Sequence, residues 1–486
     1  MAQRGKSARI SKPTLVDPEA TGGDTAEGGF TFQHNAVLAR IPLWLACDGF
    51  TDMIREALGD AEARFFVPAL GTAREFLEYK NHVVAPAEFW KEIGHFRRMD
   101  AEHLGSYWRF ILACTGVSDT LHPMVAALGR VRDAFPFYAG APSIQEASYA
   151  AFVETVTKLG KDRDMAAFLF AKVFVNAEAP RDAEQGFGVF RSALEHHLPA
   201  FQELGQKPAR AAWEALEALV RSRKATPISR AELEQALWKG VEGAPPPAHP
   251  IRLATSDDSL PSAWELPQQI RFDWDALPGG GERAVPETEA WNRIVVGQLN
   301  ATREWIVRTG RPRRIALTGK RRLSAAVAIG AAFSAVAGFA IDFHYRGGVW
   351  PTDDHDTQDT PPLAWQISAP AESAGELAVA IGIGRNPGPD ARAYLDASDL
   401  KLPILTLFSG DALLSAKHTN RAVKEAKSAI AEALTATGAN VIHLFIAGPS
   451  HFALFLGHRL NAVGTIQCYE RVSPNVYAPT CRLAVT

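Results

Sequence analysis

"VIHLFIAGPSHFALFLGHRL", Val441–Leu460, reads as an apolar strand, a glycine corner and a helix. Val441–Ala447 is an almost unbroken apolar run, the pattern of a strand covered on both faces. Gly448 closes it. Pro449 suits the first turn of a helix, where its missing N–H would have had no partner. "TIQCYER", Thr465–Arg471, then reads as the next strand. The same succession occurs upstream in "RRIALTGKRRLSAAVAIGAAF", Arg313–Phe333, followed by "FAIDFHY", Phe339–Tyr345. Two further short runs, "ELAVAIGIG" (Glu376–Gly384) and "LPILTLFSG" (Leu402–Gly410), also end on glycine. The pattern predicts a parallel sheet with helices on its faces and an internal duplication of one strand–turn–helix–strand unit. Ligands of such sheets sit beyond the C-terminal ends of the strands, and the N–H groups of a helix start can receive a phosphate.

The chain has 486 residues, too many for one compact core, so two or three domains are expected. A net charge of −3 gives no global attraction to nucleic acid, and any phosphate-binding surface must be local. The four cysteines, Cys47, Cys114, Cys468 and Cys481, show no paired spacing. That argues against a disulfide framework or a cysteine zinc site and fits a reducing cytoplasm. No apolar signal segment opens the sequence. "LSAAVAIGAAFSAVAGFAI", Leu323–Ile341, has the length of a membrane span, but it is rich in Ala and Gly. It is read as a buried helix and a strand divided at Gly338, with no membrane partner.

Residues 1–27 are polar and are expected to form a flexible tail. Residues from about 117 to 239 read as successive helices, and Ser229 with Glu232 forms a capping-box pattern. "GVEGAPPPAHP", Gly240–Pro250, cannot continue a helix and marks the main boundary. The expected organisation is a tail (1–27), a first domain (28–239), a proline-rich linker (240–259) and a second domain (260–486).

In the first domain "FLEYK", Phe76–Lys80, places Phe76, Glu78 and Lys80 on one face of a strand. A carboxylate beside an ammonium suits phosphodiester hydrolysis. The acid holds a divalent metal, Mg2+ or Mn2+, and the lysine orients water or stabilises developing charge. A second acid is required. Asp60, in the turn Gly59-Asp60, is the choice, with Glu56 as the alternative. A solvated Glu–Lys pair on an exposed face is the competing reading of the tripeptide.

"GGFTFQHNAVLARIPLWL", Gly28–Leu45, followed by an acidic strand and "FLEYKNH", resembles the restriction-endonuclease-like nucleases of the PD-(D/E)xK type. The likeness is to their variant with a glutamine on the first helix, a place that Gln33 takes, and it covers roughly residues 28–116. The familiar Pro-Asp pair is absent, so Asp60 is assigned by order along the chain. Gln33 taken alone also reads as a helix-capping or surface residue.

Residues 260–486, through "HLFIAGPSHFALFLGHRLNAVGTIQCYER" and "RIALTGKRRLSAAVAIG", resemble the SAVED domain. The resemblance implies two fused CARF-like, Rossmann-type units that bind a cyclic oligonucleotide, usually a cyclic trinucleotide, in bacterial CBASS antiphage defence. The fold class is then α/β throughout: a restriction-like core with a helical extension, then SAVED. The function implied is cleavage of double-stranded DNA, switched on by the ligand through homo-oligomerisation. Ligand contacts are expected from Thr318, Lys320, Arg321, Arg385, Gly448, Pro449 and Ser450. Trp350 either stacks on a base or belongs to the core. "LTGKRRLS" lacks the glycine spacing of a P-loop, and "GIGRNPG" does not complete a dinucleotide fingerprint. "DDHDTQD", Asp353–Asp359, reads as a solvated acidic loop, with a metal site as its rival. The alternatives for the whole chain are a nucleotide-sensing protein with a non-nuclease first domain and a nucleotide-cofactor enzyme.

Overall fold

The computed structural model describes residues 18–56, 58–239, 241, 249–255, 266–272, 274, 285–345, 347–370 and 372–485. They form two compact units. One comprises residues up to Phe65 and those from Ala73 towards the proline run. The other comprises Phe66–Thr72 and the residues after that run. Most of the expected tail, residues 1–17, and most of the proline run lie outside the described residues.

The first unit contains, in order, α1 (Pro18–Leu45), β1 (Phe50–Arg55), β2 (Ala61–Val67), β3 (Gly71–Val84), α2 (Pro86–Glu102) and β4 (Tyr107–Val117). Its helical part consists of α3 (His122–Ala134), α4 (Pro142–Lys158), α5 (Arg163–Lys172), β5 (Val173–Asn176), α6 (Ala183–His197), α7 (Gln206–Ser222), β6 (Ile228–Ser229) and α8 (Arg230–Lys239). The strands make one sheet in the order β5-β4-β3-β2-β1-β6, antiparallel at β1–β2 and parallel at β3–β4 and β4–β5.

Side chains leave β3 alternately to its two faces. Phe76 points to α2, where it meets Phe96 at a centroid distance of 5.6 Å in a core with Phe89, Ile93 and Phe110. Glu75 and Tyr79 point to α1, and Tyr79 sits edge-on to Phe32. Apolar spacing in α7 buries Ala209, Ala212, Trp213, Leu216 and Val220, and Ser229 and Glu232 close the expected capping box.

Two expectations are corrected here. The helix that carries Gln33 begins at Pro18, inside the segment read as tail, as a continuation of the packed turns from Phe32 onward. The run read as successive helices also contributes β5 and β6: Val173, Phe174 and Val175, with Asn176, pair along the edge of β4, and Ile228 and Ser229 pair with β1.

The second unit contains β7 (Ile251–Thr255), β8 (Ile270–Phe272), α9 (Thr288–Ala290) continuing through a π-helical turn into α10 (Gly297–Arg308), β9 (Arg314–Thr318), α11 (Leu323–Ala332), β10 (Ala340–Tyr345) and β11 (Gly348–Pro351). After these come β12 (Gln366–Ser368), β13 (Glu376–Ile383), α12 (Gly388–Ala397), β14 (Ile404–Ser409), α13 (Ala416–Thr437), β15 (Val441–Ala447), α14 (Ser450–Arg459), β16 (Gly464–Ser473) and β17 (Val476–Val485). Two sheets result, in the orders β11-β10-β9-β7-β8 and β12-β14-β13-β15-β16-β17. β7 falls within the segment read as linker. Ile251 and Leu253, both fully buried, make it an inner strand parallel to β8 and β9.

The internal duplication is visible in the backbone. β9–α11–β10 and β15–α14–β16 each pair their strands in parallel, and each continues into an antiparallel hairpin, β10–β11 or β16–β17. Gly330 follows Leu323, and Gly457 follows Ser450, by the same interval along α11 and α14. The two helices touch at these glycines. A Cβ on Gly330 would lie 2.1 Å from the Leu454 carbonyl oxygen, and one on Gly457 would lie 2.2 Å from that of Val327. α11 ends at Ala332 and Gly338 takes φ +76° before β10, as the reading of a helix and a strand requires. Among the described residues no helix is long and apolar enough to cross a membrane.

Candidate functional site

In the first unit the β1–β2 turn closes with a hydrogen bond from Glu56 N–H to the Asp60 carbonyl. Gly59 lies flat on the Phe76 ring, where an added Cβ would come within 2.2 Å of the ring. This contact sets the turn over β3. Asp60 Oδ2 accepts from the Tyr79 N–H at 2.7 Å, and Asp60 Oδ1 accepts from Gln33 Nε2 at 3.0 Å. Lys80 Nζ lies 2.9 Å from Glu78 Oε1 and 3.2 Å from Glu92 Oε1. The structure thus links Gln33 to Asp60 and Lys80 to Glu78, and joins Asp60 to the strand that carries the pair. Glu56, the alternative acid, is tied to Arg55 and Lys224 instead.

The electrostatics are those of a crowded anionic site. Burial, and then the charge of Glu78, push the Asp60 carboxyl up to about 6. Burial works against the Lys80 ammonium, but hydrogen bonding and charge from Glu78 and Glu92 outweigh it and hold its pKa above the ordinary lysine value. Both partners of the Glu78–Lys80 pair are more than four-fifths buried, so this is not the solvated pair of an exposed face. No three His, Cys, Asp or Glu side chains gather into a metal-binding group among the described residues. Two carboxylates of hard oxygen donors are nonetheless enough for a cation that keeps several of its waters.

Two features here were not anticipated. Glu92 comes from α2, which packs on the face of β3 that bears Lys80. Its signal lay in the apolar positions 89, 93 and 96, which orient that helix towards β3. Beneath the site, Glu75 is fully buried and accepts from Arg40 Nε and Nη2 (2.5 and 2.8 Å), Trp44 Nε1 (2.8 Å) and Arg109 Nε. Burial alone would raise the Glu75 carboxyl, but Arg40 and Arg109 outweigh it and bring it down to about 2. This network locks β3 to α1 and β4.

In the second unit the duplicated halves cross over. Ser324 N–H, at the start of α11, donates to Glu470 Oε1 on β16 at 2.6 Å, and Thr480 Oγ1 on β17 donates to Ser324 Oγ at 2.8 Å. In the other direction His451, at the start of α14, packs against the β10–β11 hairpin. Its ring lies 4.5 Å from Trp350, 4.9 Å from Tyr345 and 6.2 Å from Phe343. The Arg321 guanidinium lies 4.7 Å above the Phe343 ring, and burial lowers its pKa to about 10. Arg321, Trp350 and the Pro449–Ser450 helix start are therefore brought to one place.

Pro449 is the N-cap rather than a first-turn residue, and no side chain caps α14. Gly448 adopts φ +152° against Ile383. Thr318 Oγ1 bonds back to the Leu253 carbonyl, and Gly319 presses on Thr255, where a Cβ would meet the carbonyl oxygen at 1.7 Å. Lys320 is exposed beside this corner. Arg385 is held by Asp390 of α12, which also accepts from Arg471. His451, Tyr345, Phe343 and Glu470 were not singled out, because apolar or strand-like context hid them. In the acidic loop Asp353 pairs with Arg314, Asp356 with Lys424, and His355 with Arg459.

Comparison with known proteins agrees with this architecture. Residues 298–483 match the model of SAVED, the SMODS-associated and fused to various effectors sensor domain. The chain is 29% identical to CD-NTase-associated protein 4 of Moraxella osloensis over 97% of its own length and 99% of the relative's. It is similar in structure to the Acinetobacter baumannii Cap4 SAVED/CARF-domain containing receptor solved with the cyclic trinucleotide 2′3′3′-cAAA. The TM-score is 0.80, with 26% identity over 94% of this chain and 99% of that one. The same receptor solved with 3′3′3′-cAAA matches equally well. The second unit is therefore similar to the SAVED domain over residues 298–483, in a chain similar along nearly its whole length to Cap4 proteins.

Proposed function

We propose that this protein is a cyclic-oligonucleotide-activated, metal-dependent endonuclease that degrades double-stranded DNA in CBASS antiphage defence. The observation that carries the reading is the joining of Gln33, Asp60, Glu78 and Lys80 around one turn and one strand. The helix–strand–strand–strand–helix–strand order of α1 to β4 is compatible with the restriction-endonuclease-like core that the sequence resembles. The receptor of known structure was solved with cyclic trinucleotides, and half-buried Arg321, Tyr345 and Trp350, backed by buried Phe343 and His451, offer a cation and aromatic faces to such a ligand here.

Asp60 and Glu78 would hold the cation, Mg2+ or Mn2+, whose positive charge relieves the repulsion that lifts the Asp60 pKa. When bound, that ion polarises a phosphoryl oxygen and makes hydroxide available at neutral pH. Gln33 and the Tyr79 N–H fix the two Asp60 oxygens, so the carboxylate needs no reorganisation. The Lys80 ammonium stabilises the negative charge that grows on the phosphate as water attacks. Ligand capture by the second unit favours a self-associated form competent to cut. A near-complete switch needs about 5.5 kcal/mol of preference for that form.

The test is digestion of supercoiled plasmid with Mg2+ and a panel of cyclic di- and trinucleotides. Cutting is expected only with a cognate ligand. It should be lost in Asp60→Ala, Glu78→Ala and Lys80→Ala proteins that still bind that ligand. Cutting that ignores every nucleotide would rule out the switch, and no cutting by a ligand-saturated protein would rule out the nuclease.

A further inference from the structure

Lys80 has a partner that the Glu-x-Lys tripeptide does not contain. Its Nζ bridges Glu78 Oε1 and Glu92 Oε1, and the Glu92 side chain is only 12% exposed. Glu92 is carried by α2, which is fixed against β3 by Phe89, Ile93 and Phe96, all fully buried. Glu92 therefore has a rigid base, whereas Lys80 reaches its position through four rotatable bonds. The same helix sends Glu88 to His82, further along β3, at 2.9 Å.

We propose that Glu92 is a positioning residue for Lys80: it holds the ammonium on the α2 side of the site and so leaves Glu78 Oε2 free for a divalent cation. The inference rests on the metal-dependent reading above. Only Glu78 Oε1 is engaged by Lys80. With a neutral amide at position 92, the ammonium would be drawn wholly to Glu78 and would compete with the cation for that carboxylate. Glu92 itself touches Lys80, and its effect on the reaction passes through that residue.

The test compares wild type, Glu92→Gln, Glu92→Asp, Lys80→Ala and the Lys80→Ala/Glu92→Gln double variant, with thermal melting to confirm folding. Mn2+ affinity is measured by calorimetry without DNA, and plasmid cleavage is measured with activating ligand. Glu92→Gln is expected to weaken Mn2+ binding about tenfold or more, the usual cost of losing an outer-shell partner. It should lower kcat with KM for DNA unchanged, and Glu92→Asp should recover part of both losses. In the Lys80→Ala background the same change should add no further loss, because coupled residues are not additive. Wild-type Mn2+ affinity in Glu92→Gln, or additive losses in the double variant, would overturn the proposal. If wild type binds Mn2+ but cuts no DNA, the nuclease reading fails and the Mn2+ comparison still decides the role of Glu92. A wild type that binds no Mn2+ overturns both.

Discussion

Asp60→Asn in metal-free protein should stabilise the first unit at neutral pH and not at acid pH. The Asp60 carboxyl is lifted from 3.8 to about 6 by burial and by Glu78. Between those values the folded protein holds a proton that the unfolded chain has released. The contribution of Asp60 to stability therefore falls as pH rises from about 4 to about 6 and stays low above. At 1.36 kcal/mol per pH unit the loss is about 3 kcal/mol. Asparagine has no proton to lose. Its carbonyl can still accept from the Tyr79 N–H, and its amide can donate to the Gln33 carbonyl once that side chain turns over. The stability difference between variant and wild type should therefore grow by about 3 kcal/mol from pH 4 to pH 7 and then level off. The assay is urea titration in EDTA, read by pulsed hydrogen exchange of peptides from β3, since two units need not unfold in one step. A difference that is constant from pH 4 to pH 8 would show that burial and Glu78 together do not raise the Asp60 carboxyl, and the crowded anionic site proposed to hold the cation would lose its rationale.

Trp350→Ala should weaken cyclic trinucleotide binding by about 5- to 150-fold, the equivalent of about 1–3 kcal/mol of stacking, as measured by calorimetry; unchanged affinity would return Trp350 to the core. Gly330→Ala drives a methyl group into the backbone of α14 and should cost at least about 1–3 kcal/mol, seen as a lower melting temperature of the second unit. Melting as in wild type would contradict the helix contact. Glu75→Gln leaves Arg40 and Arg109 without their buried counter-charge and should cost about 3–5 kcal/mol in denaturant titration of the first unit. A cost below about 1 kcal/mol would show that the network does not anchor β3.

The second unit was the more legible half of the sequence, because its physics is local. Strand, glycine corner and helix follow one another within twenty residues, and the glycines that end β9 and β15 stand where the backbone needs them. Gly319 leaves no room for a side chain against Thr255. Alternation also placed Phe76, Glu78 and Lys80 on one face. What the sequence hid depends on packing between distant segments. Glu92 acts across a helix–strand contact, Glu75 draws its partners from α1 and β4, and His451 meets Trp350 only because the two halves cross. β7 went unseen because proline-rich surroundings masked five residues whose burial depends on β8 and β9. Arg385, expected as a ligand residue at a strand end, has a partner that the sequence did not show, Asp390 on the next helix.

The most direct measurement is the rate of plasmid linearisation against ligand occupancy, with binding and cleavage followed in one sample at fixed Mg2+. The account predicts no measurable rate without cyclic trinucleotide and a rate that rises with the bound fraction. Trp350→Ala should shift both curves together, while Glu78→Ala should keep the binding curve and abolish the rate. Cleavage that is independent of occupancy, or that persists in Glu78→Ala, would contradict it.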